Sequence, residues 1–211
     1  MSKGRASSLR SSQTFKRKEG TREAKKTILI VCEGETEEKY FKNLKGILGL
    51  TNATIFVAGS GGDSAPINLV RKAETIYADD RGYDFIFCVF DRDQHSTFCA
   101  ARERIKQLAS RSKRALPICE AVSVPSFELW VLLHYEKTDR SFSGAQEIQE
   151  YLVRSGHISR YSKGDDVLSK LLISRLEPAL INAKWLEDRK GIADENPMTN
   201  VHHMIHVVRS L

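Results

Sequence analysis

Apolar and polar positions alternate along this chain in blocks whose period changes from strand to helix. A β-branched run at 27–31 stops at Cys32-Glu33-Gly34, and beyond it Tyr40, Phe41, Leu44, Ile47 and Leu48 recur at helical spacing. A second strand is expected at 53–58, and the loop 59–64, with three glycines, follows it. Asp63 or Ser64 is expected to cap a helix reaching about Tyr77, with Ile67, Val70 and Ile76 turned inward. A third strand at 84–90 ends in Asp91-Arg92-Asp93, and a helix over 96–110 comes next. The fourth strand, 121–124, stops at Pro125, whose missing N–H suits a turn. The helix expected over 126–135 is apolar nearly all round and should be buried.

Strand and helix thus alternate four times, which favours a parallel sheet covered on both faces. From Ser141 onward the pattern predicts helices and no further strand: one over 166–176, one opened by Pro178 and ending near Gly191, and a last one with Val201, Met204, Ile205 and Val208 on one face. The expected organisation is an arm at 1–26, an α/β domain at 27–140 with a four-stranded, mainly parallel sheet, and a C-terminal helical extension at 141–211 packed on that domain.

Charge changes this picture at one end. The net charge of +6 is concentrated in residues 1–26, where nine Lys or Arg meet two Glu; the rest of the chain sums to −1. Such a polar, basic arm is expected to be disordered when free and can gather phosphate backbone, although a plain solvating tail has the same composition. No apolar run approaches the ~20 residues a membrane helix needs. The arm lacks the apolar centre of a secretory signal, so a cytoplasmic location is expected. Cys32 and Cys88 fall in strands, Cys99 and Cys119 are isolated, and no CxxC pair exists, which argues against structural zinc and against a disulfide framework.

The candidate chemistry is acidic. Strand ends of a parallel sheet share one edge, so Glu33, Asp91 and Asp93 are expected to converge and hold a divalent cation. Hard carboxylate oxygens suit Mg²⁺ (or Mn²⁺), which retains positions for water and phosphate and stabilises charge developing on a phosphoryl centre. Glu128 is an anomaly in an apolar helix that starts at the same edge; it either joins the metal site or bonds to its own helix's first-turn N–H groups. The loop at 59–64 can wrap a phosphate or serve as a flexible turn, and it lacks a Gly-Lys-Ser/Thr ending. His202, His203 and His206 have spacings open to metal binding, but no Glu or Cys joins them at a zinc-site spacing, which favours ordinary exposed or structural histidines.

A lone Glu and Gly after the first strand fit neither haloacid dehalogenase-like phosphatases nor response-regulator receivers. Glu after strand one with Asp-x-Asp after strand three resembles the Toprim fold of topoisomerases, primases and OLD nucleases. More closely, the chain resembles the RloB family of phage-defence proteins. The likeness rests on Cys-Glu-Gly-Glu-Thr-Glu-Glu-Lys-Tyr-Phe at 32–41, Phe-Asp-Arg-Asp at 90–93 and Pro-Ser-Phe-Glu-Leu-Trp-Val-Leu-Leu-His at 125–134. Tyr-Ser-Lys-Gly at 161–164 and Asn-Pro-Met-Thr-Asn-Val-His at 196–202 extend it to nearly the whole chain beyond residue 26.

The resemblance implies a metal-dependent nuclease of abortive infection, acting on DNA or RNA, with a separately encoded AAA-type ATPase of the RloA or AbiL kind as partner. It also directs attention to Lys163, since a lysine beside such a metal can neutralise phosphate charge; an exposed loop lysine is the ordinary alternative. The principal rival function is a non-catalytic adaptor that binds the ATPase. Nucleotidyl transfer or ligand sensing through the glycine-rich loop is a third.

Overall fold

A computed structural model describes residues 26–57, 65–92, 96–113, 115–190 and 195–211. Its centre is β1 (Ile28–Cys32), buried at every position. Parallel neighbours flank it on both sides, β2 (Ala53–Val57) and β3 (Phe85–Asp91), and β4 (Ile118–Val124) lies parallel beyond β3. Because successive side chains point to opposite faces, β1 divides cleanly: Ile28, Ile30 and Cys32 enter one core, Leu29 and Val31 the other.

The second core is closed by α2 (Pro66–Asp79) and α3 (Phe98–Ala109), through Leu69, Val70, Ala73, Ile105 and Leu108. The first receives α1 (Glu35–Leu48) and a short helix, α4 (Glu128–Leu133), whose six residues are all buried. It also receives α5 (Ala145–Arg154), α6 (Asp166–Ser174), α7 (Leu176–Lys190) and α8 (Val201–Arg209). The helices after residue 141 therefore share one apolar core with β1 and α1.

The strand count differs from the expected four. A fifth strand, β5 (Met198–Thr199), pairs antiparallel with the end of β4, so the described sheet runs β2-β1-β3-β4-β5. Two residues inside an Asn- and Pro-rich stretch carry no strand periodicity of their own. What makes them a strand is distant: the Ser123 and Thr199 hydroxyls lie 3.0 Å apart, and the Val122 N–H donates to the Asn200 side chain.

Other differences are local. The apolar helix begins at Glu128 rather than 126 and closes at Leu133. α7 opens at Leu176, with Pro178 inside its first turn, where no intrahelical N–H is required. α2 starts from Ala65 without a side-chain cap; Asp63 and Ser64, expected to supply one, lie outside the described residues with the rest of the 59–64 loop and with Gly191. All four cysteines are free. No helix among the described residues is long and apolar enough to cross a membrane.

Candidate functional site

The β1–β3 pairing carries Glu33 and Asp91 to the same edge. The Glu33 N–H donates to the Val89 carbonyl at 3.1 Å, extending the ladder one residue past β1, and the Asp91 N–H donates to the Glu33 carboxylate at 3.3 Å. The Asp91 carboxylate in turn accepts from the Phe127 N–H, at the entrance to α4. This bond ties the third strand to the helix that bears Glu128.

Gly34 then allows α1 to begin close against this edge. A Cβ there would stand 2.9 Å from a carboxylate oxygen of Glu37, which folds back over the turn. Glu37 is buried, at 6% exposure. Its burial has a simple origin: Glu37, Tyr40, Phe41 and Leu44 lie at i, i+3, i+4 and i+7, so the carboxylate sits on the apolar face of α1. The sequence reading missed it. The signal was the same helical spacing, extended one turn back into what reads as an acidic surface run.

Glu128 is likewise buried, and one of its oxygens accepts from the Gln149 amide at 2.8 Å and from the Tyr161 hydroxyl at 3.1 Å. The Thr36 hydroxyl also bonds to Tyr161. Glu128 does not cap α4, because it accepts two side-chain bonds from α5 and from the loop that follows it. Gln149 and Tyr161, 21 and 33 residues away, had no chemical mark in the sequence beyond Tyr161's place in a family motif.

The electrostatics bind these groups into one cluster. Burial pushes the Glu37 carboxyl up to about 7; its own backbone N–H opposes the shift, the negative charges of Glu128 and Glu33 add to it, and Lys163 works against it. Burial first and Glu37 second push Asp91 well above the carboxylate range, against the Phe127 N–H, with Glu33 and Glu128 adding to the rise. Glu33 just past β1, Glu37 of α1, Asp91 of β3 and Glu128 of α4 thus belong to one electrostatic cluster, with Lys163 as a nearby positive charge. Lys163 also lines a groove of about 800 Å³ with Gln146, Gln149, Arg154 and Tyr161, two of which, Gln149 and Tyr161, donate to Glu128. Asp93, expected beside Asp91, lies outside the described residues, as does His95.

The histidine that follows α4 has a different use. His134 is buried, its Nδ1 is 2.8 Å from the Trp130 carbonyl and its Nε2 is 3.1 Å from the Tyr40 hydroxyl. A carbonyl only accepts, so Nδ1 carries the proton and Nε2 accepts from Tyr40. Burial lowers this imidazole to about 4, and it stays neutral as a strut between α1 and α4.

The donor set fits a hard divalent cation. Burial and neighbouring carboxylates raise Glu37 and Asp91 in the metal-free cluster, a cation placed among these groups would offset that repulsion, and oxygen donors are those Mg²⁺ takes. No curated protein and no solved structure matches the chain. A family model described as RloB-like protein matches residues 28–208, from the start of β1 to Val208 in α8 and including all four carboxyl groups, and the chain belongs to that family.

Proposed function

We propose that the chain is a metal-dependent nuclease with a Toprim-like active site, cleaving phosphodiester bonds of DNA or RNA in phage defence. The observation that carries this reading is the convergence of Glu33, Glu37, Asp91 and Glu128 on one sheet edge, beside a groove with Lys163 at its rim. Glu33 and Asp91, with Asp93, would hold Mg²⁺ or Mn²⁺. When bound, the cation supplies charge stabilisation at a phosphoryl centre and a polarised oxygen.

The chain's own groups do the positioning. The Phe127 N–H and the Glu33 carboxylate fix the Asp91 side chain and main chain in turn. Gln149 and Tyr161 hold the Glu128 carboxylate to one orientation. Lys163 offers a positive charge to a phosphate entering by the groove, and Arg154 extends that charge outward. A separately encoded AAA-type ATPase as partner is part of the same proposal and rests on the family resemblance alone. The adaptor reading is the weaker one, because docking an ATPase gives no reason to bury mutually repelling carboxylates. Purified chain incubated with plasmid DNA and with total RNA, with Mg²⁺ and with EDTA, and with and without the ATPase, tests the proposal. Cleavage that needs the cation supports it; intact nucleic acid in every combination favours the adaptor.

Two further outcomes are expected. Glu128→Gln keeps an oxygen for Gln149 and Tyr161 and removes a charge, so Mg²⁺ affinity measured by calorimetry should fall about 10-fold with little change in melting temperature. Glu128→Ala leaves those two donors without their acceptor and should cost roughly 1–3 kcal/mol in stability. Deletion of residues 1–24 removes seven of the nine basic groups of the arm. It should leave the melt unchanged and flatten the salt dependence of nucleic-acid binding; an unaltered slope would reduce the arm to a solvating tail.

A further inference from the structure

Glu187, near the end of α7, meets two consecutive histidines at the start of α8. The His203 Nε2 is 2.6 Å from one carboxylate oxygen of Glu187 and the His202 Nε2 is 3.3 Å from the other. The two imidazole rings lie 4.1 Å apart between centroids, and one ligand atom from each of the three residues falls within 4.8 Å of the others. Neighbours in sequence point about 100° apart on a helix, so two adjacent rings rarely serve one point. Here His202 turns inward at 1% exposure, His203 remains exposed, and the carboxylate between them draws both Nε2 atoms to the same spot. His202 is further marked by its Nδ1, which is buried without a hydrogen-bond partner.

We propose that Glu187, His202 and His203 form a site for a divalent transition-metal ion of the Zn²⁺ class, separate from the carboxylate cluster of the β1–β3 edge. Imidazole nitrogens suit such ions, whereas Mg²⁺ prefers oxygen alone. Two imidazoles and a carboxylate make three protein ligands, with a fourth position left for water. Donors about 2.0–2.1 Å from a tetrahedral ion stand roughly 3.3–3.4 Å from one another, and the His202–Glu187 distance of 3.3 Å already has that value. His203, exposed on the outer side, can rotate to complete the set and leaves the ion a route from solvent. Lys184 now shares the Glu187 carboxylate at 3.3 Å from the solvent side, and the ion would take over its neutralising role.

The ion would fasten α8 to α7. α8 follows β5 directly, so the clamp would also hold the strand that completes the sheet. The test uses the full chain with Cys99 and Cys119 changed to Ser, which removes the exposed thiols as competing ligands. Calorimetric titration with Zn²⁺ alone should show one ion per chain at micromolar affinity or better, with a matching rise in melting temperature. The same event should survive Glu33→Gln and weaken at least tenfold in His203→Ala and in Glu187→Gln. His203 is exposed, so its alanine variant should keep the apo melt of the parent. Wild-type affinity in His203→Ala, loss of the event in Glu33→Gln, or no binding below millimolar Zn²⁺ would each overturn the assignment. The outcome is independent of whether the acidic cluster cleaves nucleic acid.

Discussion

Glu33→Gln and Asp91→Asn are each expected to reduce Mg²⁺-dependent cleavage more than 100-fold, beyond the ~10–100-fold typical of groups that only orient a metal's ligands. Both changes preserve shape. The glutamine oxygen can still accept from the Asp91 N–H, and the asparagine oxygen from the Phe127 N–H. Each also removes an ionisable group from a cluster in which ionised carboxyls repel one another, so the melting temperature of the metal-free protein should hold or rise, by about 2–4 °C for every ~1 kcal/mol of repulsion relieved. Asp93→Asn is expected to behave likewise in the cleavage assay. Thermal melts and single-turnover cleavage of the three variants provide the check. Unfolding of Glu33→Gln and Asp91→Asn would mean that these acids serve the fold.

The second large effect concerns pH, and Glu37 governs it. Its carboxyl is raised by burial from the usual carboxylate value of 4.5 to about 7, so the folded chain holds a proton that the unfolded chain releases. The contribution is fully present below about 4.5, declines as pH rises, and is gone above 7. The loss is on the order of 3 kcal/mol, from ~1.4 kcal/mol per pH unit of difference. Metal-free protein should therefore melt lower at pH 8 than at pH 5.5. Millimolar Mg²⁺ should recover much of the loss at pH 8 and little at pH 5.5, because the cation competes with the proton for the same cluster. Glu37→Gln should flatten the pH dependence between 4.5 and 7. An unchanged slope in that variant would show that Glu37 is ionised throughout.

What was legible in the chain followed from local pattern. Glu33 and Asp91 stand where apolar runs stop, and parallel strands bring such stops together, so their adjacency could be read without coordinates. Glu128 was visible as one charge among apolar neighbours. Its partners were not, since Gln149 and Tyr161 reach it across a helix and a loop and carry no pattern of their own. Glu37 was legible in principle, but three glutamates within four positions resemble a solvated first turn, and only the stripe through Tyr40 and Leu44 separates it from Glu35 and Glu38. Glu187 was beyond reach beside the histidines, because the meeting of α7 with α8 depends on the intervening 195–200 segment crossing to β4. The four-strand expectation failed for the same reason: Met198 and Thr199 become a strand only because Ser123 is there to pair with.

That late strand also constrains how the chain is made. β4 ends at Val124, yet the residues that pair with its outer edge at Ser123 and Val124 come some 75 positions later in synthesis, at Met198 and Thr199. While the chain emerges from the ribosome, the finished end of β4 would show open main-chain donors and acceptors next to the six buried residues of α4, a combination that invites pairing with the wrong chain. The segment that closes this edge is translated only after α7. A stop codon after α7 would therefore yield a protein prone to aggregation rather than a smaller working domain.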